Sequence, residues 1–209
     1  MFFPRDVKPI TGRINKIPRW SIRCPRPRAA SRTAASPRLP CAPSPALYTW
    51  LKDPQSLTAK LIASSQHQFR VQVVRQTLGR AQTNECLALR IKTTQRCLIR
   101  EVILVGQEQP WVFARSILPL SSLTGRLRHL RYRGSKPLGA FLFSQPDLER
   151  HPIAVALINR HHNYVPIEYL DNDPVWGRRS IFVLDNKPLL VSEVFLPPFV
   201  RRLNQSGCR

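Results

Sequence analysis

The sequence predicts an α+β domain built on a single antiparallel β-sheet flanked by short helices. Two hairpin patterns carry the prediction. In the first, Arg96–Val105 and Pro110–Leu118 read as strands on either side of the turn-like Gly106-Gln-Glu-Gln109, a loop of four residues. In the second, Arg179–Leu184 and Pro188–Phe195 flank the turn Asp185-Asn-Lys187. The third observation is that the helical segments elsewhere are short, a pairing of hairpins with short helices that gives α+β architecture.

Taken in order, residues 1–45 read as a basic, disordered tail. Nine of the chain's 20 prolines fall there, and ten Lys and Arg stand against one acid, Asp6. Proline removes backbone donors, and the segment has too few apolar residues to offset ordering entropy. It lacks the continuous apolar run of a secretory signal. Its Arg-rich, acid-poor character is that of an organellar transit peptide, but such peptides are amphipathic helices, which nine prolines oppose. Residues 46–209 then form one folded domain. Ala46–Lys52 places Leu47, Trp50 and Leu51 at helical spacing. Asp53-Pro54 ends that helix, and Ser56 is an N-cap for a second over Leu57–Ser65. Phe69–Gln76 nearly alternates and predicts a strand. Leu120–Leu130 predicts a helix, and Lys136-Pro-Leu-Gly139 opens another through Phe143, with Pro137 in the tolerated first turn. Residues 144–174 are polar and proline-interrupted, a surface insertion in which Ile153–Asn159 forms a helical turn or two. Pro197-Pro198 ends the fold.

Composition narrows the function classes. The longest apolar runs, such as Val102–Val105, are far shorter than the ~20 residues that span a bilayer. The net charge of +21 suits nucleic-acid binding, yet no recognition motif accompanies it. An anionic small substrate drawn in by the field suits the charge as well. The five cysteines show no CxxC and no metal-ligand spacing, which suggests reduced thiols in a cytoplasmic protein.

Two charged residues stand where charge is expensive. Period-two alternation puts Arg100 on one strand face with Leu98, Val102 and Leu104, and Glu193 on one face with Leu189, Val191 and Phe195. A lone buried charge costs several kcal/mol, so each needs a partner. Either they pair with each other or with a neighbour in the sheet, or they face a small polar ligand buried against it.

Four motifs then resemble one family. Arg100-Glu-Val-Ile-Leu104 with Gln109-Pro-Trp-Val-Phe-Ala-Arg-Ser-Ile-Leu-Pro119 is similar to the central hairpin of the chorismate pyruvate-lyases. Gly134-Ser-Lys-Pro-Leu-Gly-Ala-Phe-Leu-Phe143, Val175-Trp-Gly-Arg-Arg-Ser180 and Lys187-Pro-Leu-Leu-Val-Ser-Glu-Val-Phe-Leu-Pro197 follow in family order. The resemblance implies one antiparallel sheet with two helical flaps over an internal ligand site, so that 46–209 is a catalytic domain. It implies that Arg100 binds the ring carboxylate and that Glu193 reaches the hydroxyl at the opposite end of the ring. It also implies that backbone N–H groups at Leu57 and Leu138, one on each flap, complete the carboxylate site. The implied reaction splits chorismate into 4-hydroxybenzoate and pyruvate, the first step toward ubiquinone-type quinones, in a cytoplasmic monomer with no metal, no cofactor and no specific nucleic-acid partner. Arg115, Arg178 and Arg179 are candidates for the second carboxylate on charge alone. Ala114 stands where the family commonly has glycine, and 144–174 is longer than the family pattern. The competing expectation is a non-catalytic effector-binding domain of the same fold. Such domains follow a helix-turn-helix, which the prolines of residues 1–45 oppose.

Overall fold

The computed structural model describes residues 17–27 and 42–206. Helix α1 (Pro45–Lys52) starts where Ser44 Oγ accepts from Leu47 N, and α2 (Leu57–Ser64) where Ser56 Oγ accepts from Ala59 N. Strand β1 (Phe69–Arg80) runs four residues beyond its predicted end, and α3 (Thr83–Leu89) follows it. The first hairpin is β2 (Arg96–Gly106) and β3 (Gln109–Pro119). A 3-10 helix (Gly125–Tyr132) and α4 (Leu138–Leu142) lead to β4 (Glu149–Arg150) and β5 (Ala154–Ile158). The second hairpin, β6 (Val175–Leu184) and β7 (Lys187–Phe195), ends in α5 (Pro197–Ser206).

All strands join one antiparallel sheet in the order β1-β2-β3-β7-β6-β4, with β5 also paired to β6. The predicted α+β architecture is therefore the observed one. Both hairpins close tightly. Gly106 pairs with Gln109, so the loop is the two residues Gln107 and Glu108, each with positive φ, as at Asp185 and Asn186. Two-residue turns of that hand match the twist of the strands, which is why the expected four-residue loop shortens.

Three further expectations are corrected. Ile153–Asn159 is not a helical turn: Ala154–Ile158 is strand β5, and within residues 144–174 both it and Glu149–Arg150 join the sheet. The free edge of β6 needs hydrogen-bond partners, and β4 and β5 supply them. Pro197-Pro198 does not end the fold but opens α5, where proline's missing N–H is harmless. Fully buried Phe199 anchors that helix between Trp50, Trp111 and Phe195. Within the expected tail, residues 17–27 are seated on the domain. Ser21 exchanges backbone hydrogen bonds with Val155 on the outer edge of β5, and the Trp20 ring lies edge-on to Tyr164 and under the Arg179 guanidinium. Residues 1–16 and 28–41 lie outside the described residues.

The sheet has two covered faces. One packs α1, α2, α4, α5 and the Gly125–Tyr132 helix over Leu98, Val102, Leu104, Val112, Phe182 and Phe195. The other buries Ile99, Ile103, Phe113 and Val194 under α3 and the segment that carries Tyr164. Gly106 shows how tightly the hairpin packs: a Cβ there would lie 2.4 Å from the ring of buried Trp111. Gly106→Ala should therefore destabilise the domain by about 1–3 kcal/mol through overpacking. The readout is the urea midpoint; an unchanged midpoint would show that the ring can move freely.

Candidate active site

The register places the candidate residues in two rows across the first face. Arg100 on β2 pairs with Ser116 on β3, which pairs with Val191 on β7, which pairs with Ser180 on β6. The adjacent row is Val102, Ala114, Glu193 and Arg178. Cross-strand partners share a face, so Arg100 and Glu193 stand on the same side of the sheet, two strands and one pleat apart. With strands ~4.8 Å apart and ~3.4 Å per residue, their Cα atoms are roughly 12 Å apart, enough to leave a ring between them.

They do not pair with each other. Glu193 accepts from Arg178 Nε at 2.7 Å, and Arg178 is 1% exposed. The other end of the Arg178 guanidinium donates to the carbonyls of Trp50 and Asp53, both at 2.8 Å, which ties the end of α1 to the sheet. Glu193 thus has a sheet neighbour as its partner, one of the outcomes left open by the sequence. Arg100, 4% exposed, donates through Nη2 to the carbonyls of Gly134 (2.8 Å) and Lys136 (3.3 Å), while its buried Nε has no partner among the described residues. Burial, with Arg133 nearby, pulls its pKa below the ordinary arginine value. No carboxylate pairs with Arg100 among the described residues.

A cavity enclosing about 30 Å³ lies in front of these rows. Its walls are Leu57 and Thr58 at the start of α2, Gly139, Leu142 and Phe143 at α4, Arg150 on β4, and Arg178, Phe182, Val191 and Glu193 on the sheet. The two helices close over it tightly, since a Cβ on Gly139 would sit 3.1 Å from Thr58 Oγ1. Of the four predicted site residues, Leu57 and Glu193 line the cavity. Leu138 does not: it is buried beside Leu98 and Leu142 as the first residue of α4, one position before Gly139. Arg100 is also outside the lining and reaches the site through the Gly134–Lys136 loop that leads into α4. The first-turn N–H groups of both helices lack intrahelical partners, and residues of both first turns, Leu57 and Thr58 of α2 and Gly139 of α4, line the cavity.

Alternation also separates the other candidate arginines. Arg178 is on the cavity face, whereas Arg115 and Arg179 point through the other. There Arg115 donates to Glu85 at 2.8 and 3.1 Å and to Glu101, and Tyr164 donates its hydroxyl to Glu85 at 3.4 Å. Sequence reasoning missed Arg150, which lay in the stretch read as an insertion; without β4 in register no periodic signal could have found it. The cavity region therefore sets three guanidinium groups, of Arg100, Arg150 and Arg178, around the Glu193 carboxylate, while the nearby Asp53 carboxylate is held by Lys60. Such an excess of positive charge suits a small anion.

Comparison with known proteins bears on the same region. A family model described as "Chorismate lyase" matches residues 38–204. A Psychromonas ingrahamii protein named "Probable chorismate pyruvate-lyase" is 39% identical over 175 residues, covering 82% of this chain and 93% of its own. One of the same name from Azoarcus sp. is 42% identical over 159 residues, covering 72% of this chain and 84% of its own. Among solved structures, the C-terminal domain of the histidine utilization repressor of Pseudomonas syringae pv. tomato aligns with a TM-score of 0.50 at 14% identity. It covers 62% of this chain and 92% of that one, a likeness of fold.

Proposed function

We propose, from the premise that the chain belongs to the chorismate lyase family, that it cleaves chorismate to 4-hydroxybenzoate and pyruvate. The observation that carries this reading is the cavity between two helical flaps and a sheet face with Arg100 beyond one end and Glu193 at the other. The C3–O bond breaks with its electron pair on the enolpyruvyl oxygen while the C4–H carbon gives up its proton, so the ring becomes aromatic and the step is strongly downhill; the released enolpyruvate takes up a proton and ketonises to pyruvate. The protein has mainly to bind, orient and exclude water. Arg100 offers a planar fork for the ring carboxylate, joined by flap N–H groups at Leu57 and Leu138. Glu193, steadied by Arg178, accepts a hydrogen bond from the C4 hydroxyl and holds the C4–H carbon for loss of its proton. A cavity of about 30 Å³ is well below the ~150 Å³ that accepts a benzene ring, so α2 and α4 must part to admit the substrate.

This reading needs no metal or organic cofactor, since aromatisation supplies the driving force. It places the reaction at the start of ubiquinone-type quinone synthesis, in a cytoplasmic monomer without a specific nucleic-acid partner. No helix among the described residues is long and apolar enough to cross a membrane. The protein incubated with chorismate and a chelator should release 4-hydroxybenzoate and pyruvate in equal amounts. Salicylate instead, or loss of activity on chelation, would overturn the reading. Binding of 4-hydroxybenzoate without any turnover would instead favour the effector-domain alternative.

A further inference from the structure

The cavity holds a cation to which the ring-carboxylate and hydroxyl roles assign no work. Arg150, partly buried on β4, lines the cavity, with its guanidinium packed over the rings of Phe182 (5.2 Å) and Phe143 (5.8 Å). Its hydrogen bonds go to neutral oxygens, Ser180 Oγ at 3.0 Å and the Pro54 carbonyl. No carboxylate forms an ion pair with it among the described residues. Burial, then the nearby Arg178 charge, push its pKa down to about 10, so it still carries its charge at neutral pH. Arg115 of the central hairpin and the two arginines of the Trp-Gly-Arg-Arg motif are either paired already or face away from the cavity. Arg178 is held by Glu193 and two carbonyls, Arg115 by two carboxylates on the far face, and Arg179 is on that far face as well.

Position gives Arg150 a task. It docks on Ser180, the last residue of the row Arg100–Ser116–Val191–Ser180. Two arginines without ion-pair partners therefore stand at opposite ends of one row, with Val191 of the cavity between them. Arg150 and Phe143 also line an outer groove of about 500 Å³ that carries Lys52 and His151, so they form the wall between cavity and solvent. A partly buried cation whose hydrogen bonds go only to neutral groups, with the Glu193 and Asp53 carboxylates near but not paired with it, can take an anion to complete it.

We propose that Arg150 binds the carboxylate of the substrate's enolpyruvyl side chain and so aims that side chain at the outer groove. The inference rests on the lyase reading and adds the second half of dianion recognition to it. 4-Hydroxybenzoate lacks this carboxylate, which separates the two roles experimentally. Arg150→Gln should lower kcat/KM for chorismate by about 10- to 100-fold, the effect of a lost charged hydrogen bond, mostly through KM. The Kd of 4-hydroxybenzoate should stay within about threefold, by the same reasoning that only the lost group is felt. Arg150→Lys should recover part of the loss, because it restores the charge without the fork. An unchanged kcat/KM, or a product Kd that rises in step with KM, would overturn the proposal. Should Arg150→Gln fail to fold, the unaltered protein decides. 3-(Carboxymethoxy)benzoate should then bind at least about tenfold tighter than 3-methoxybenzoate, again the margin of one charged hydrogen bond, and equal affinities would overturn the proposal. A protein that binds these ethers with that margin but makes no 4-hydroxybenzoate would refute the lyase reading and leave the Arg150 site standing.

Discussion

Arg115→Ala should destabilise the domain by about 3–5 kcal/mol, the loss expected when one partner of a buried ion cluster is removed. Arg115 grips both oxygens of Glu85 and a third oxygen on Glu101, and Glu85 is 0% exposed. The same Glu85 carboxylate accepts the N–H of Gln82 at the start of α3 and the hydroxyl of Tyr164. Burial, then the Glu85 charge, hold that phenol well above its ordinary pKa, so it remains a donor. Without Arg115, two carboxylates are left facing each other across a dry interface. The loss should appear as a lower urea midpoint with little change in slope. Replacing Arg115, Glu85 and Glu101 together by apolar or neutral residues of similar size should recover most of it. Folded Arg115→Ala should keep the 4-hydroxybenzoate affinity of the parent, because Arg115 faces away from the cavity. A loss below about 1 kcal/mol, the range of an exposed pair, would mean that the cluster is wetter than its burial indicates.

Glu193→Gln should lower turnover of chorismate by roughly 10²–10⁴-fold, the range for a positioned acid–base group. Glutamine keeps an acceptor for Arg178 Nε, and Arg178 keeps its two carbonyls. The fold should therefore lose no more than about 1–2 kcal/mol, in line with weakening one charged hydrogen bond. Glu193→Ala should cost more, because Arg178 is then a buried cation without its carboxylate. Stability effects of Glu193 and Arg178 changes should couple strongly. Those of Glu193 and Arg100, separated by a ring's width, should add within ~0.5 kcal/mol. Arg100→Ala should weaken 4-hydroxybenzoate binding by about 10- to 100-fold. Strong coupling between Glu193 and Arg100, with ligand affinity untouched, would leave their assignment to opposite ends of the substrate without support.

Much of the site is legible because strand alternation is local. Leu98, Arg100, Val102 and Leu104 share a face in any regular strand, and so do Leu189, Val191, Glu193 and Phe195; the structure keeps both sets together. Ser56 announces α2 because an N-cap needs only the next three residues. The flap positions Leu57 and Leu138 came from the family resemblance, and they do start the helices that meet over the cavity, although only Leu57 lines it.

Long-range pairing decided the rest. Ala154–Ile158 is a strand only because β6 offers an unpaired edge, and α5 persists past Pro197-Pro198 only because Phe199 finds three aromatic partners. Adjacent arginines Arg178 and Arg179 have the same chemistry, and charge alone could not rank them. Once β6 is registered against β7, parity sends Arg178 to Glu193 and Arg179 to Trp20. Arg150 had no sequence signal at all, because a two-residue strand has no period and its guanidinium meets Ser180 and Pro54 from distant parts of the chain. By itself the sequence determined the two hairpins and the faces of Arg100 and Glu193, since both follow from neighbours a few residues away. Which charges face the cavity and which are already neutralised depends instead on the strand brought alongside, a matter of long-range register.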